Sequence, residues 1–564
     1  MTTLAKRLPK RTASAASLDS PKHRNGKATP SLKSGKSAKS PKPEKASKSA
    51  KPLKPPKFDL AAYRARAEKA TTEITEEQFR THSGLSDGSR LTQILAKYDD
   101  LFDEAHSDAI HHLIAAAGTP RDKRRLRALY KDAVFAQLSR PLNDKFIQVQ
   151  TMPQTVELPF TNPETAEATT ITPTTAYMLS LNDPNRETRE AATKLLTEFR
   201  RDQLNPVYED LHREMHKFPK AHGYKNFIDL MEKHKGYSFA DLAKVAKQFI
   251  RETDDVYRET LTYYLKTKLG LSLDKAKYHD AAMLFRAPEY DALFPKDAIL
   301  EIIFGFIRQM GLDPTAKGRI VFDLEPRSNK NPRQMCYPIR VPNKIGINVM
   351  PRGGVGDYYA VMEELGHALH FAHTSPDTPY EFRYPMENSL TETYSYTIAR
   401  LMLNPLWLMK VMKIADPDPF LHHKAFLDLF ITRRYFAKFL YELKLHKSGS
   451  LAGKDDAYQE TLGKVLIVPI VKENYLADVD AFFTVTSYVQ AFLAHAEVHS
   501  KLRSLYGEDW FINPQTGGFL KELWAGGNEM TVSELGKKMG FGGLTATPLV
   551  KVFRGILDRN LNSI

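Results

Sequence analysis

Eight consecutive residues, Glu363-Glu364-Leu365-Gly366-His367-Ala368-Leu369-His370, gather two carboxylates and two imidazoles. On a helix, side chains three and four apart stand one above the other. Glu363, His367 and His370 then share a face. A helical zinc site needs two His four apart, so that both imidazoles meet one ion. It also needs a Glu after the first of them, as general base on the attacking water. The spacing is kept here, but Glu363 stands at the place of the first His, and Glu364 takes the general-base position. The eight residues alone fit two readings, an imperfect metal-binding set or a pair of hydrogen-bonded core histidines, and the second is the simpler.

Other chemistry-bearing residues say less. Cys336 is the single cysteine, which excludes an intrachain disulfide framework and any cysteine-based zinc knuckle. With no basic partner fixed nearby in sequence it reads as structural. His373 is expected near the end of the same helix, behind or beside a site rather than in it. His422-His423 has no partner spacing. Gly353-Gly354 with Gly356 lacks the lysine of a phosphate loop and the spacing of a dinucleotide turn.

The elements that must position these residues are mostly helical. Apolar residues recur at three-and-four spacing over 186–204, 239–268 and 298–310. Strand signals cluster at 319–322, 335–341 and 345–350, and the Pro351–Gly354 turn leads into a helix from about Asp357. The expected fold class is mainly α, with one small β-sheet beside the Glu363–His370 helix. No apolar run is long enough to span a membrane, and the lone cysteine fits a cytoplasmic location.

Charge divides the chain. Of 81 Lys+Arg and 67 Asp+Glu, residues 1–57 hold 16 and two (Asp19 and Glu44), so from Phe58 onward the balance is 65 to 65. The whole +14 belongs to a Lys/Ser/Pro/Ala tail without aromatic residues, a composition expected to be disordered. Three readings of the tail stand side by side: a solvated linker, a polyanion- or nucleic-acid-binding arm through steps such as Ser20-Pro21-Lys22, and an organellar targeting segment. Three regions follow: the tail 1–57, an N-terminal helical region 58–315, and a catalytic-type region 316–564 with the small sheet, the Glu363–His370 helix and the C-terminal helices.

From roughly Arg186 to the C-terminus the chain resembles the M3 metallopeptidases (thimet oligopeptidase and oligopeptidase F-like), whose helix reads His-Glu-x-Gly-His-x-x-His. The resemblance rests on the order of several pieces: Cys336–Pro342, Gly353-Gly354, the Glu363–His370 helix, Thr391–Ser395, Arg434–Lys438, Tyr488, Tyr506-Gly507 and Gly526-Gly527. It implies a large helical body with a deep cleft admitting short peptides, a bound Zn²⁺, and a third ligand at Glu392, 25 residues after His367. By the same resemblance Glu364 is the general base and proton carrier, and Tyr488 an oxyanion or substrate contact.

Two departures follow from the comparison. The first zinc ligand is Glu363 instead of His. In the stretch Asp478–Tyr488, where the family supplies a His and tyrosines to a developing oxyanion, Phe483 stands at the place of a Tyr and only Tyr488 keeps a phenol. Losing one such donor typically costs about 10²–10³ in rate. Two neutral imidazoles and one carboxylate leave zinc a formal +1, whereas Glu363, His367 and Glu392 leave it neutral, a poorer Lewis acid and a set more open to Mn²⁺ or Mg²⁺. Without an ion, Glu363, Glu364 and Glu392 would crowd His367; like charges at short range are expected to raise the carboxylate pKa values, and a protonated imidazole to relieve the repulsion. The sequence thus implies a peptide-binding protein with impaired catalysis or, alternatively, an active metallopeptidase using Glu363, His367 and Glu392.

Overall fold

Apolar positions at three-and-four spacing close into helices along most of the chain from Phe58 on. The computed structural model describes residues 58–558 apart from Arg286 and Met386. The basic segment 1–57, with the expectations of disorder and polyanion binding that fall on it, lies outside the described residues.

The first helix, α1 (Leu60–His82), starts where the Asp59 carboxylate accepts the N–H groups of Ala61 and Ala62, a side-chain cap on otherwise unpaired donors. Two short antiparallel strands follow, β1 (Leu158–Thr161) and β2 (Ala168–Ile171). They are a second sheet where one was expected. Only Leu158 and Phe160 turn inward on β1, so four residues carry too little alternation to stand out in sequence. The helix expected over 186–204 is α-helical over Arg186–Phe199, then widens into a π turn (Arg200–Leu204) that runs on into α2 (Asn205–Met215). The stretch 239–268 is two helices, Phe239–Glu252 and Asp254–Leu269, broken at Thr253.

The main sheet comprises β3 (Ile320–Asp323), β4 (Met335–Arg340) and β5 (Lys344–Asn348) in the order β3-β5-β4. β5 lies between a parallel β3 and an antiparallel β4, with Cys336 opposite Ile347. The turn beyond β5 needs φ of +92° and +85° at Gly353 and Gly354, conformations that cost glycine little. The Asp357 carboxylate accepts the Gly353 N–H at 2.9 Å and ties that turn to the next helix.

Four long elements complete the frame: α3 (Val355–Ala372), α4 (Ser389–Ala399), α5 (Asp418–Leu445) and α6 (Val485–Tyr506). From Phe58 the chain is one compact unit. Its largest buried cluster runs from Val134 to Leu557 and takes in Leu312, Ala316 and Ile320, so the helical region before residue 316 and the region after it share a core. Among the described residues no helix is long and apolar enough to cross a membrane.

Candidate metal centre

Helix α3 buries Tyr358, Val361, Met362, Leu365, Ala368 and Leu369, an i, i+3, i+4, i+7 stripe facing the core. The adjacent stripe, Tyr359, Glu363 and His367, is half-buried and faces α4 and α5. Helix α4 is buried along its whole length despite its hydroxyls. It tolerates this by bonding them back onto its own carbonyls, Thr393 to Ser389 O at 2.6 Å and Thr397 to Thr393 O at 2.8 Å. The two helices meet at Gly366. A Cβ there would lie 2.7 Å from Ser395 Cα and 3.1 Å from Ser395 O, so only glycine permits this approach.

That approach brings the predicted set together. Glu363, His367 and Glu392 each offer one ligand atom, and the three atoms lie within 4.8 Å of one another. His367 Nε2 is 3.7 Å from Glu392 Oε2. On the other side of the ring, Nδ1 lies 2.8 Å from Thr391 Oγ1. In the tautomer that donates from Nδ1 to Thr391, Nε2 turns its lone pair toward the carboxylates, the form a metal takes. Glu392 is 7% exposed and its Oε2 has no hydrogen-bond partner. A buried carboxylate oxygen without a donor is costly, and a cation shared with His367 and Glu363 would satisfy it. The residues therefore fit a divalent ion.

Burial sets the charge state, and for the imidazole it does so differently from the expectation. It pushes the His367 imidazole down to about 3, helped by His370, so the ring is neutral at neutral pH. The carboxyls move the other way. Burial raises Glu363 to about 7 against the fields of Arg400, Arg333 and Lys424. Burial and then Glu363 raise Glu364 to about 8. Glu392 is raised well above the ordinary carboxylate range by burial, then by Glu363 and Glu364. Protons on carboxyl groups, not an imidazolium, relieve the crowding. A neutral imidazole is also the ligating form.

Glu364 is half-buried beside Glu363, and its Oε2 accepts the Cys336 N–H of β4 at 2.6 Å. The lone cysteine thus serves through its backbone, and its thiol is pushed well up by burial and by Glu364. His370 is a core histidine, fully buried, with Nε2 3.3 Å from Gly527 O and its ring against Tyr394. His373 ends α3 against Trp524. Neither joins the three ligand atoms.

A cavity of about 490 Å³ opens onto Glu363, lined also by Arg333, Tyr396, Arg400, Tyr435 and Tyr488. Larger surface hollows lie elsewhere, without this convergence of acids. Tyr488, near the start of α6, is part of that lining, its phenol raised by burial and by Glu392. Phe483 does not line the cleft. It is buried against Phe239 and His446, on a backbone turned to φ +54°. Tyr435 of α5 packs 5.2 Å from Tyr488 and Tyr396 of α4 lines the same cavity, so its wall also holds phenols from outside the Asp478–Tyr488 stretch. Sequence reasoning missed Thr391, Tyr435 and the cations Arg400 and Lys424. Thr391 adjoins Glu392 and could have been read from helical geometry; the others come from turns whose direction only the packing fixes.

No family model matches the sequence, and no curated protein matches it. Solved structures do. The fold aligns with that of a "putative peptidase" from Chlamydophila abortus at a TM-score of 0.63, covering 88% of this chain and 89% of that one, with 14% sequence identity. The class this defines is a mainly α, peptidase-like fold. At that identity the likeness concerns the backbone, and the chemistry rests on the side chains described above.

Proposed function

We propose that the chain is an M3-like metallopeptidase-fold protein whose cleft takes short peptides and whose hydrolytic step is impaired. The observation that carries this reading is Glu363. Its carboxyl occupies a ligand position beside His367 and Glu392, yet it is surrounded by the fields of Arg400, Arg333 and Lys424, cations that stabilise its charged form and compete with a metal for it. Glu363, His367 and Glu392 would hold the ion, with Zn²⁺ implied by the resemblance and harder divalent ions favoured by the two carboxylates. A divalent ion bound there supplies Lewis-acid polarisation of a scissile carbonyl.

The chain's own residues do the rest. Glu364, next to the ligand position Glu363, is the group that in its ionised form accepts a proton from the attacking water and returns it to the leaving amine. Tyr488 and Tyr435 stand at the cavity wall as hydrogen-bond donors to the carbonyl oxygen. A cavity of about 490 Å³ lies within the size range of small-ligand sites and suits a few residues of extended peptide.

The alternative, an active metallopeptidase, is favoured by the same convergence of Glu363, His367 and Glu392 and by the orphaned Glu392 Oε2. Fluorescence anisotropy with a labelled short peptide, followed by mass spectrometry of the mixture with added Zn²⁺, separates the two. Binding with slow or absent cleavage is expected. Rapid cleavage supports the alternative, and no binding counts against both. A cytoplasmic location and a polyanionic partner for residues 1–57 belong to this reading and rest on cysteine usage and charge alone.

A further inference from the structure

A second convergence lies outside the cleft. His212 of α2 and His216, the residue that caps the C-terminal end of α2, stand four apart on one face. His446 caps the C-terminal end of α5, 230 residues beyond His216. One ring nitrogen of each lies within 4.8 Å of the other two. His216 Nε2 and His446 Nδ1 are hydrogen-bonded to one another at 3.0 Å. Two nitrogens on one tetrahedral zinc, each at about 2.0–2.1 Å, stand about 3.3 Å from one another, so the pair needs little adjustment.

We propose that His212, His216 and His446 form a second metal site, for a late first-row ion such as Zn²⁺ or Cu²⁺, separate from the acidic centre. Three core histidines that merely stack are the simpler account, and the rings do stack, His212 on His446 at 19° and His216 on His446 at 20°. Stacking leaves one fact unexplained. His212 is 4% exposed, and its Nε2 has no hydrogen-bond partner. An imidazole nitrogen buried without a donor or acceptor costs free energy, and coordination would recover it.

The donor set chooses the ion. Three imidazoles without a carboxylate suit zinc, copper or nickel and disfavour calcium and magnesium. Burial pushes His212 down to about 3 and His216 to about 4, so the rings are held neutral, as ligands must be. Coordination by three neutral rings keeps the full charge of the ion, which calls for an anion or water in a fourth place. A cavity of about 190 Å³ adjoins the cluster, lined by Gln150, Tyr208 and Met215 among others, and gives room for one. Phe227 and Phe483 close the opposite side around His446. An ion there would tie α2 to the end of α5.

This inference stands independently of the peptidase reading, and the test keeps the two apart. Full-length His367→Gln protein, with the cleft imidazole removed, is titrated with Zn²⁺ and its metal content measured after desalting. One zinc per chain, lost on adding His216→Ala with the circular dichroism unchanged, is expected. No bound zinc, or zinc that survives His216→Ala, overturns the proposal. Cu²⁺ electron paramagnetic resonance on the natural chain needs no variant. The cleft set offers one imidazole, so superhyperfine splitting from three nitrogens belongs to this cluster, and fewer than three contradicts it.

Discussion

His367 and Glu392 face each other across 3.7 Å, from two helices whose backbones are in contact beside them. The distance depends on Gly366 as much as on either side chain. Glycine inside a helix ordinarily costs about 1 kcal/mol against alanine. Here the missing Cβ is what lets the two helices approach.

Gly366→Ala is therefore expected to destabilise the protein by about 1–3 kcal/mol, the usual range for overpacking, and to weaken metal retention in the cleft. Its methyl would press on backbone atoms of Ser395, which cannot swing aside as a side chain can. Denaturant midpoints and metal content check this. A variant more stable than the parent would show that the helices are not in contact at this point.

Glu364→Gln replaces the proposed proton carrier with an amide of the same shape. Residual peptide turnover is expected to fall by about 10²–10⁴, the span of general acid–base catalysis, with peptide affinity unchanged. Turnover that persists in the variant would remove Glu364 from the reaction.

Tyr435 and Tyr488 test the donor side. The double change Tyr435→Phe/Tyr488→Phe keeps both rings and their packing. Residual kcat is expected to drop by about 10²–10³, the effect of losing an oxyanion donor, with KM little altered. A proportional rise in KM with kcat intact would make both of them contacts to bound peptide only.

Glu497 gives a pH dependence independent of the cleft. It is buried on α6, and burial raises its carboxyl to about 7 against a backbone hydrogen bond from Thr545. A carboxyl raised in the folded state contributes its stability below the unfolded value of 4.5. That contribution is lost as pH rises through about 7, because the unfolded chain then holds fewer protons. The loss is on the order of 3 kcal/mol. Glu497→Gln is expected to be more stable than the parent at pH 8 and to lose that advantage at pH 5, as read from urea midpoints. An equal offset at both pH values would contradict the assignment.

The chemistry of the cleft was legible where it depends on local spacing. Glu363, Glu364 and His367 follow from one turn of helix, and Glu392 from the resemblance that a fixed 25-residue spacing carries. The reading failed where the chain leaves regular structure. Phe482 and Phe483 adopt φ of +59° and +54°, and the Phe483 ring lies in the core against Phe239 and His446, away from the cleft position the resemblance implied. The raised carboxyls followed from like charges brought together, but the protonated imidazole did not hold for His367, because residue types give the charges available but not the burial that lowers its pKa. Tyr435 and Arg400 needed the packing of α4 and α5 on α3, and His446 meets His216 across 230 residues with no local pattern to announce it.

The proposed impairment is tested most directly at position 363, by cleavage of a short internally quenched peptide by Glu363→His protein in the presence of Zn²⁺, beside the natural chain and Glu363→His/Glu364→Gln. Tighter zinc binding and a rise in kcat/KM of at least about 10² are expected, abolished by the added Glu364→Gln change. Zinc affinity and cleavage both unchanged by Glu363→His would contradict it.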